Sequence, residues 1–192
     1  MGERIDIAGD RITSVTLKFE EALSMKEFYK FLHEWLVING YCSPPFDGYI
    51  EKYYLEKIDQ SNSKEIWFWW RTSRIPKDSP YFKFFLNVDV HVMGLKDAEV
   101  TIRGQKVKAN KGEVEIMLNA WLEVDYKFNY EKNPFVAPFL GRFKRLIYRR
   151  DIIQNAGIVK REATGLIEDL KKWFELKPFA GGGETFNPPR GL

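Results

Sequence analysis

Asp89 and His91 stand two positions apart in the stretch "NVDVH", which begins at Asn87. In an extended chain this spacing sets an amide, a carboxylate and an imidazole on one side. With Glu123 or Asp125 added by a neighbouring strand, such a set has the groups to bind a metal or to move a proton. Any solvated strand shows the same spacing, however, and a solvated outer sheet face is the expectation. His33, the other histidine, falls beside the buried stripe of a predicted helix and is expected to be an ordinary, partly buried residue. The chain has no G-x-S-x-G, no H-E-x-x-H and no phosphate loop, since Gly181 to Gly183 is followed by Glu184 rather than by a lysine and a helix. No catalytic residue, metal ligand or cofactor is assigned, and a non-enzymatic protein is expected.

Two other constellations carry binding chemistry. The stretch Ile66 to Arg74, "IWFWWRTSR", holds three of the six tryptophans in four positions. A core strand, the wall of a ligand cavity and a platform for RNA bases would each use so much ring surface. Alternation sends Ile66, Phe68 and Trp70 to one face and Trp67, Trp69 and Arg71 to the other. One face must be core. The other either packs beneath a loop or a second subunit, or forms with Arg71 and Arg74 a surface that stacks bases and pairs phosphates, each stacked base worth about 1 to 3 kcal/mol.

The second constellation is charge. Between Pro134 and Arg161 there are seven basic residues (Arg142, Lys144, Arg145, Arg149, Arg150, Lys160 and Arg161) against the single acid Asp151, a local +6 in a chain of net +3. On a continuous helix Arg142, Arg145 and Arg149 fall within about a 60° arc beside the apolar stripe, suited to a row of phosphates. Faces that merely meet water mix signs for i, i+4 pairing, and this one has almost no acids. Arg150 would fall on the apolar side of that wheel, which requires an acidic partner or a break in the helix.

Elements that position these groups follow from periodicity. Residues 11–20 alternate as a strand with one buried face, Thr13, Val15, Leu17 and Phe19 opposing Ile12, Ser14, Thr16 and Lys18. Ser24 and Glu27 then form a capping box, Phe28, Phe31, Leu32, Trp35 and Leu36 recur at helical spacing, and Asn39-Gly40 stops the helix. Extended segments at 49–59, 64–75, 81–95, 98–108 and 113–126 are separated by turn signals at Ser61-Asn62-Ser63, "PKDSP", Lys96-Asp97 and "ANKG". The clear alternation of 81–93 and 113–126 predicts an antiparallel sheet that needs a cover on one side. A helical period from Pro134 to Leu176 supplies the cover, with Gly157 and Gly165 as sites of a bend or division and Pro178 as its end. Residues 179–192, rich in Gly and Pro, read as a tail following a single domain over 1–178.

This order of strand, helix, antiparallel strands and long C-terminal helix resembles the helix-grip fold of the START and Bet v 1-like superfamily over about residues 11–176, with one early helix where that superfamily often has two. The resemblance implies an α+β fold, a curved antiparallel sheet packed against a long C-terminal helix, and a cavity between them. It carries no catalytic residue, because members bind lipids, hormones or proteins and only some are enzymes.

Composition bounds the rest. The apolar runs fall short of the roughly 18 residues a membrane span needs, the first eleven residues are too charged for a signal peptide, and Asp6 stands where a myristoylation signal needs Ser or Thr. The lone Cys42 leaves no intrachain disulfide and fits a reducing compartment. A cytoplasmic protein off the membrane is expected, and abundant Lys and Glu beside three Gln lean toward a thermophilic source. The expected function is docking on structured RNA or a ribosomal subunit, with Arg142, Lys144, Arg145 and Arg149 on phosphates, Arg190 of the tail as a positioning contact, and Trp67, Trp69, Arg71 and Arg74 as a stacking and pairing surface. A homodimer is expected from the sheet edges. A carrier of a hydrophobic small molecule between sheet and helix is the other reading, and storage or regulation of ribosomes an extension of the first.

Overall fold

A computed structural model describes residues 4–5, 12–20, 22–42, 50–78, 81–102, 105–124, 127, 132, 134–135, 137–139 and 149–175. The chain is α+β, a curved antiparallel sheet with one N-terminal helix and a C-terminal helix packed on it. Strands β4 (Glu51–Ile58), β5 (Lys64–Arg74), β6 (Phe82–Ile102) and β7 (Gln105–Val124) follow one another as a meander. Three short segments, β1 (Arg4–Ile5), β2 (Thr13–Phe19) and β3 (Ala22–Leu23), line the far side of β7 in succession. The described helices are α1 (Met25–Ile38) and α2 (Arg149–Glu175), with a 3-10 turn at Ala137–Phe139. Neither helix is long and apolar enough to cross a membrane.

Local chemistry sets these boundaries. Ser24 accepts a hydrogen bond from the Glu27 N–H at 3.4 Å, filling one of the orphan donors that open α1. At the other end Gly40 has φ +73°, a left-handed conformation that costs glycine nothing. Between β4 and β5 the Asp59 carboxylate accepts from the N–H groups of Ser61 and Ser63 at 2.8 and 2.9 Å, closing the turn read from the sequence. The Ser61 hydroxyl, also donating to Asp59, leads these hydrogen bonds in holding that carboxyl below its ordinary pKa.

The two turns expected at Lys96-Asp97 and "ANKG" are not turns. Lys96 pairs with Lys111 and Asp97 with Asn110, so β6 and β7 run as one long hairpin from Phe82 to Val124. Their turn-like composition instead marks a bulge, where Gly94 and Leu95 on β6 oppose Gly112 alone on β7. Gly94 takes φ +64° there. A Cβ on Gly112 would lie 2.9 Å from the Met93 carbonyl oxygen, so the bulge closes only over a bare backbone. Asn110 donates to Asp97 at 3.0 Å across the continuing ladder, which explains why two turn-forming residues sit in paired strands.

Alternation places the core. Phe82, Phe84, Leu86, Val88, Val90 and Val92 on β6 and Val114, Ile116, Leu118, Ala120, Leu122 and Val124 on β7 are all buried on one face, with Ile66, Phe68 and Trp70 of β5. Each such side chain removed from water contributes about 2 kcal/mol, so the inner face alone outweighs any single polar contact. Helix α2 lies over β7, β2 and β6. Helix α1 covers β5, where Tyr29 meets Trp70 edge-on at 4.8 Å. The two helices meet through Phe31 and Trp173 at 5.6 Å, and through the Trp35 indole N–H, which donates to Asp169 at 3.0 Å. Phe19 stacks on Phe174 at 4.0 Å, joining β2 to the end of α2.

Helix α2 differs from its predicted extent. Pro134, where the predicted helix opens, lies in a turn and Ala137–Phe139 in the 3-10 turn, while α2, described over Arg149–Glu175, runs without division past Gly157 and Gly165. Its buried stripe, from Ile152 through Ala156, Val159, Ala163 and Leu170 to Phe174, is set by its own residues. Arg150 is therefore exposed and needs no buried partner.

Candidate nucleic-acid interface

The outer face of the sheet carries the aromatic stretch. Its strands place Tyr53, Trp69, Asp89 and Met117 in one row and Leu55, Trp67, His91 and Glu115 in the next. Trp69 is 41% exposed and Trp67 half-buried, whereas Trp70 is fully buried. Trp67 stacks on His91 at 4.7 Å between ring centres, and the Lys57 ammonium stands 5.1 Å from its centroid. Trp69 stacks on Tyr53 at 4.4 Å, with the Arg71 guanidinium 5.7 Å away. The neighbours of these indoles within the sheet already take up ring faces that a nucleobase would need, which counts against the stacking platform expected of them.

The arginines expected to pair phosphates beside those rings are matched inside the molecule. Arg71 forms an ion pair with Asp89, and Arg74 with Glu162. His91 contacts Glu65 at 2.9 Å, so Asp89 and His91 share a face but serve different partners. Asn87 lies opposite Asn119, and Glu123 opposite Lys83, distant in register from His91. Asp125 lies outside the described residues, and among the described residues no three such side chains gather as a metal site. Lys18, Lys57, Arg71 and Lys83 share this face with Glu65, Asp89, Glu113, Glu115 and Glu123. Charges of both signs are therefore interleaved on this face, Lys18 pairing with Glu113 and Glu115 and Arg71 with Asp89. His33 is exposed, its ring edge-on to Trp70 at 6.3 Å.

Glu162 is the hub of a contact that periodicity did not reveal. Its carboxylate accepts from the Tyr41 hydroxyl at 2.6 Å as well as from Arg74, tying the end of α1 and strand β5 to the middle of α2. The guanidinium of Arg74 also lies 5.4 Å from the Tyr41 ring centre and 5.3 Å from that of Phe84. Burial, and next the negative charge of Glu162, push the Tyr41 hydroxyl well above the ordinary 10.0, with Arg74 pulling the other way. An unfolded chain loses this proton near 10.0 while the folded chain keeps it, so the contribution to stability is complete below that pH and lost above it. The urea midpoint is expected to fall between about pH 9 and about pH 11 more steeply in the native protein than in Tyr41→Phe. Equal slopes would remove Tyr41 as the cause.

On α2 the cations behave differently. Arg149, Arg150, Lys160 and Arg161 are all exposed, and none has a carboxylate partner among the described residues. Arg149, Lys160 and Lys171 recur every eleven residues, as do Arg150, Arg161 and Lys172. Three turns separate successive members, a rise of about 16 Å with about 20° of drift. The result is three cation pairs in line along the solvent side of the helix. The eleven-residue spacing was available in the sequence but is masked there by the denser cluster before it. Lys172 is partly neutralised by Asp169 at 3.7 Å. Exposed acids on the helix are Asp151, Glu168 and Glu175, so the positive excess belongs to its first half. Arg142, Lys144, Arg145 and Arg190 lie outside the described residues. No family model, curated protein or solved structure matches the chain.

Proposed function

We propose that the chain is a non-enzymatic binding protein that docks on structured RNA, alone or in a ribosomal subunit, through the solvent face of α2. The reading rests on one observation: Arg149, Arg150, Lys160 and Arg161 stand exposed with no carboxylate partner among the described residues, while Arg71 and Arg74 are paired. Unneutralised guanidinium groups on a rigid helix keep their full attraction for phosphate, whereas a paired one must first give up its partner. Two of the four lie in the first turn, where the helix dipole is already positive, and an anion there relieves the repulsion. In sequence the cluster continues backward through Arg145, Lys144 and Arg142, which extends the same polyanion-binding segment.

Binding through these groups is an electrostatic, counterion-releasing process. Four phosphate contacts predict an affinity for a labelled RNA hairpin that falls about a hundredfold between about 50 and about 200 mM salt. Reversing Arg149, Arg150, Lys160 and Arg161 to Glu is expected to flatten that slope, while Lys83→Glu on the sheet leaves it unchanged. Anisotropy titrations of the folded variants measure both. A flat salt dependence, or an unaltered slope in the fourfold variant, would overturn the proposal. Co-sedimentation of the native protein with ribosomal subunits then distinguishes particle from free RNA.

A further inference from the structure

Gly157 sits in the interior of α2, exposed, and a Cβ added there would meet nothing within 4 Å. Proline aside, glycine is the residue least suited to a helix interior, and a closely packed neighbour ordinarily justifies it. Among the described residues nothing packs on this one. One turn earlier Ile153 is 53% exposed, an aliphatic side chain with no part in the buried stripe. Both residues lie in one arc of the helix. At about 100° per residue, Arg149 and Lys160 make one row, and Arg150 and Arg161 a second, about 100° around the axis. Ile153 falls about 40° and Gly157 about 80° from Arg149, between the two rows. Thr164, further along the same arc, turns its hydroxyl back onto the Lys160 carbonyl at 2.9 Å. The arc is an uncharged lane, bare at Gly157 and flanked by four exposed cations without a carboxylate partner among the described residues. Asp151 falls on the far side of the second row.

The shape of the lane selects the partner. With side chains a helix is about 10 to 12 Å across, so the charged ends of the two rows stand on the order of 10 Å apart. A single strand offers one line of phosphates and can satisfy one row at a time. A duplex offers two lines with a groove between them. The major groove of B-form DNA, about 8.5 Å deep, is read by polar side chains that reach down to the base edges, and Ile153 and Gly157 supply none. In A-form RNA the minor groove is wide and shallow, and proteins contact its phosphates and 2′-hydroxyls with little regard to sequence. A helix entering that groove needs cations on both flanks and nothing long between them. At Gly157 the backbone itself reaches the surface.

We propose that α2 lies in the minor groove of double-stranded RNA, with Arg149 and Lys160 on the phosphates of one strand, Arg150 and Arg161 on those of the other, and Gly157 admitting the groove floor. This rests on the RNA-docking reading above and narrows it to a duplex. The test is anisotropy titration of the full chain with three probes of equal length: a blunt RNA duplex, the DNA duplex of the same sequence and a polyuridine strand. The native protein is expected to bind the RNA duplex at least about tenfold more tightly than either other probe. Gly157→Leu fills the lane with an uncharged side chain and, as a good helix former at an open site, is expected to be at least as stable as the native protein in urea. It should lose about tenfold in affinity for the RNA duplex and nothing for polyuridine, with the salt slope unchanged. Salt-dependent binding as tight to polyuridine as to the RNA duplex would overturn the inference and leave RNA docking standing. So would a Gly157→Leu variant that binds the duplex as the native protein does. A preference for the DNA duplex, or no salt-dependent binding to any probe, would overturn both.

Discussion

Trp70→Ala is expected to lower the unfolding free energy by about 4 kcal/mol, and Trp69→Ala, the adjacent residue, by less than about 1.5. The difference comes from the pleat. Trp70 is fully buried beneath α1, edge-on to Tyr29 at 4.8 Å and tilted against Phe68 at 5.4 Å, and its indole N–H donates to Glu51 at 3.3 Å. Removing it opens a cavity whose walls belong to a helix and a sheet that cannot both collapse inward, and leaves Glu51 without that donor. Trp69 loses its stack on Tyr53 and some partly exposed area, but water fills the vacated space at once. In urea titrations followed by circular dichroism the first variant should lose most of its midpoint and the second little of it. Comparable losses in the two would mean that the sheet is not one-sided at this strand, and the assignment of inner and outer faces would fail.

Glu162→Ala is expected to cost about 3 kcal/mol, far more than loss of an exposed helix carboxylate such as Glu168, which should stay within about 0.5. Two donors lose their acceptor at once: the Tyr41 hydroxyl and the Arg74 guanidinium. Arg74 is held between Tyr41 and Phe84, its Nε is buried without a hydrogen-bond partner among the described residues, and without Glu162 its guanidinium keeps only the Asn39 carbonyl at 3.3 Å. A partly buried charge left without its carboxylate is the costly half of a broken pair. Replacing both members, Arg74→Met with Glu162→Leu, should therefore be milder than Glu162→Ala alone. A double variant as damaged as the sum of the two single changes would show that the residues act independently and that the clamp is not a coupled unit.

These two results also separate structure from binding. Arg74 and Arg71 are arginines beside aromatic rings, a composition that in sequence resembles a phosphate-reading surface. In the folded chain each lies against a carboxylate, from α2 and from β6 respectively, and each serves to hold elements together. The cations of α2 have no such duty among the described residues. Variants at Arg149 or Arg161 are thus free to change affinity without changing stability, which makes the salt titration of the fourfold variant interpretable.

Periodicity over short distances was readable at once. The capping pair Ser24 and Glu27, the stripe from Phe28 to Leu36 and the alternation of 81–93 and 113–126 each involve residues that local geometry brings together, so the chain order alone fixes which side chains share a face. An α+β sheet with a helical cover followed from that. Turn signals were less decisive: Asn and Gly residues at 94–112 serve a bulge and a paired ladder because β6 and β7 gain more from continuing their hydrogen bonds than from turning. Charge partners were not readable. Arg74 and Glu162 are 88 residues apart, and Tyr41 and Glu162 are 121 apart, so only the packing of α2 across the sheet decides that they meet. The sequence by itself determined which residues alternate, cap and bury. Only the tertiary structure decided which charges are neutralised, because that depends on which surfaces the buried stripes bring face to face.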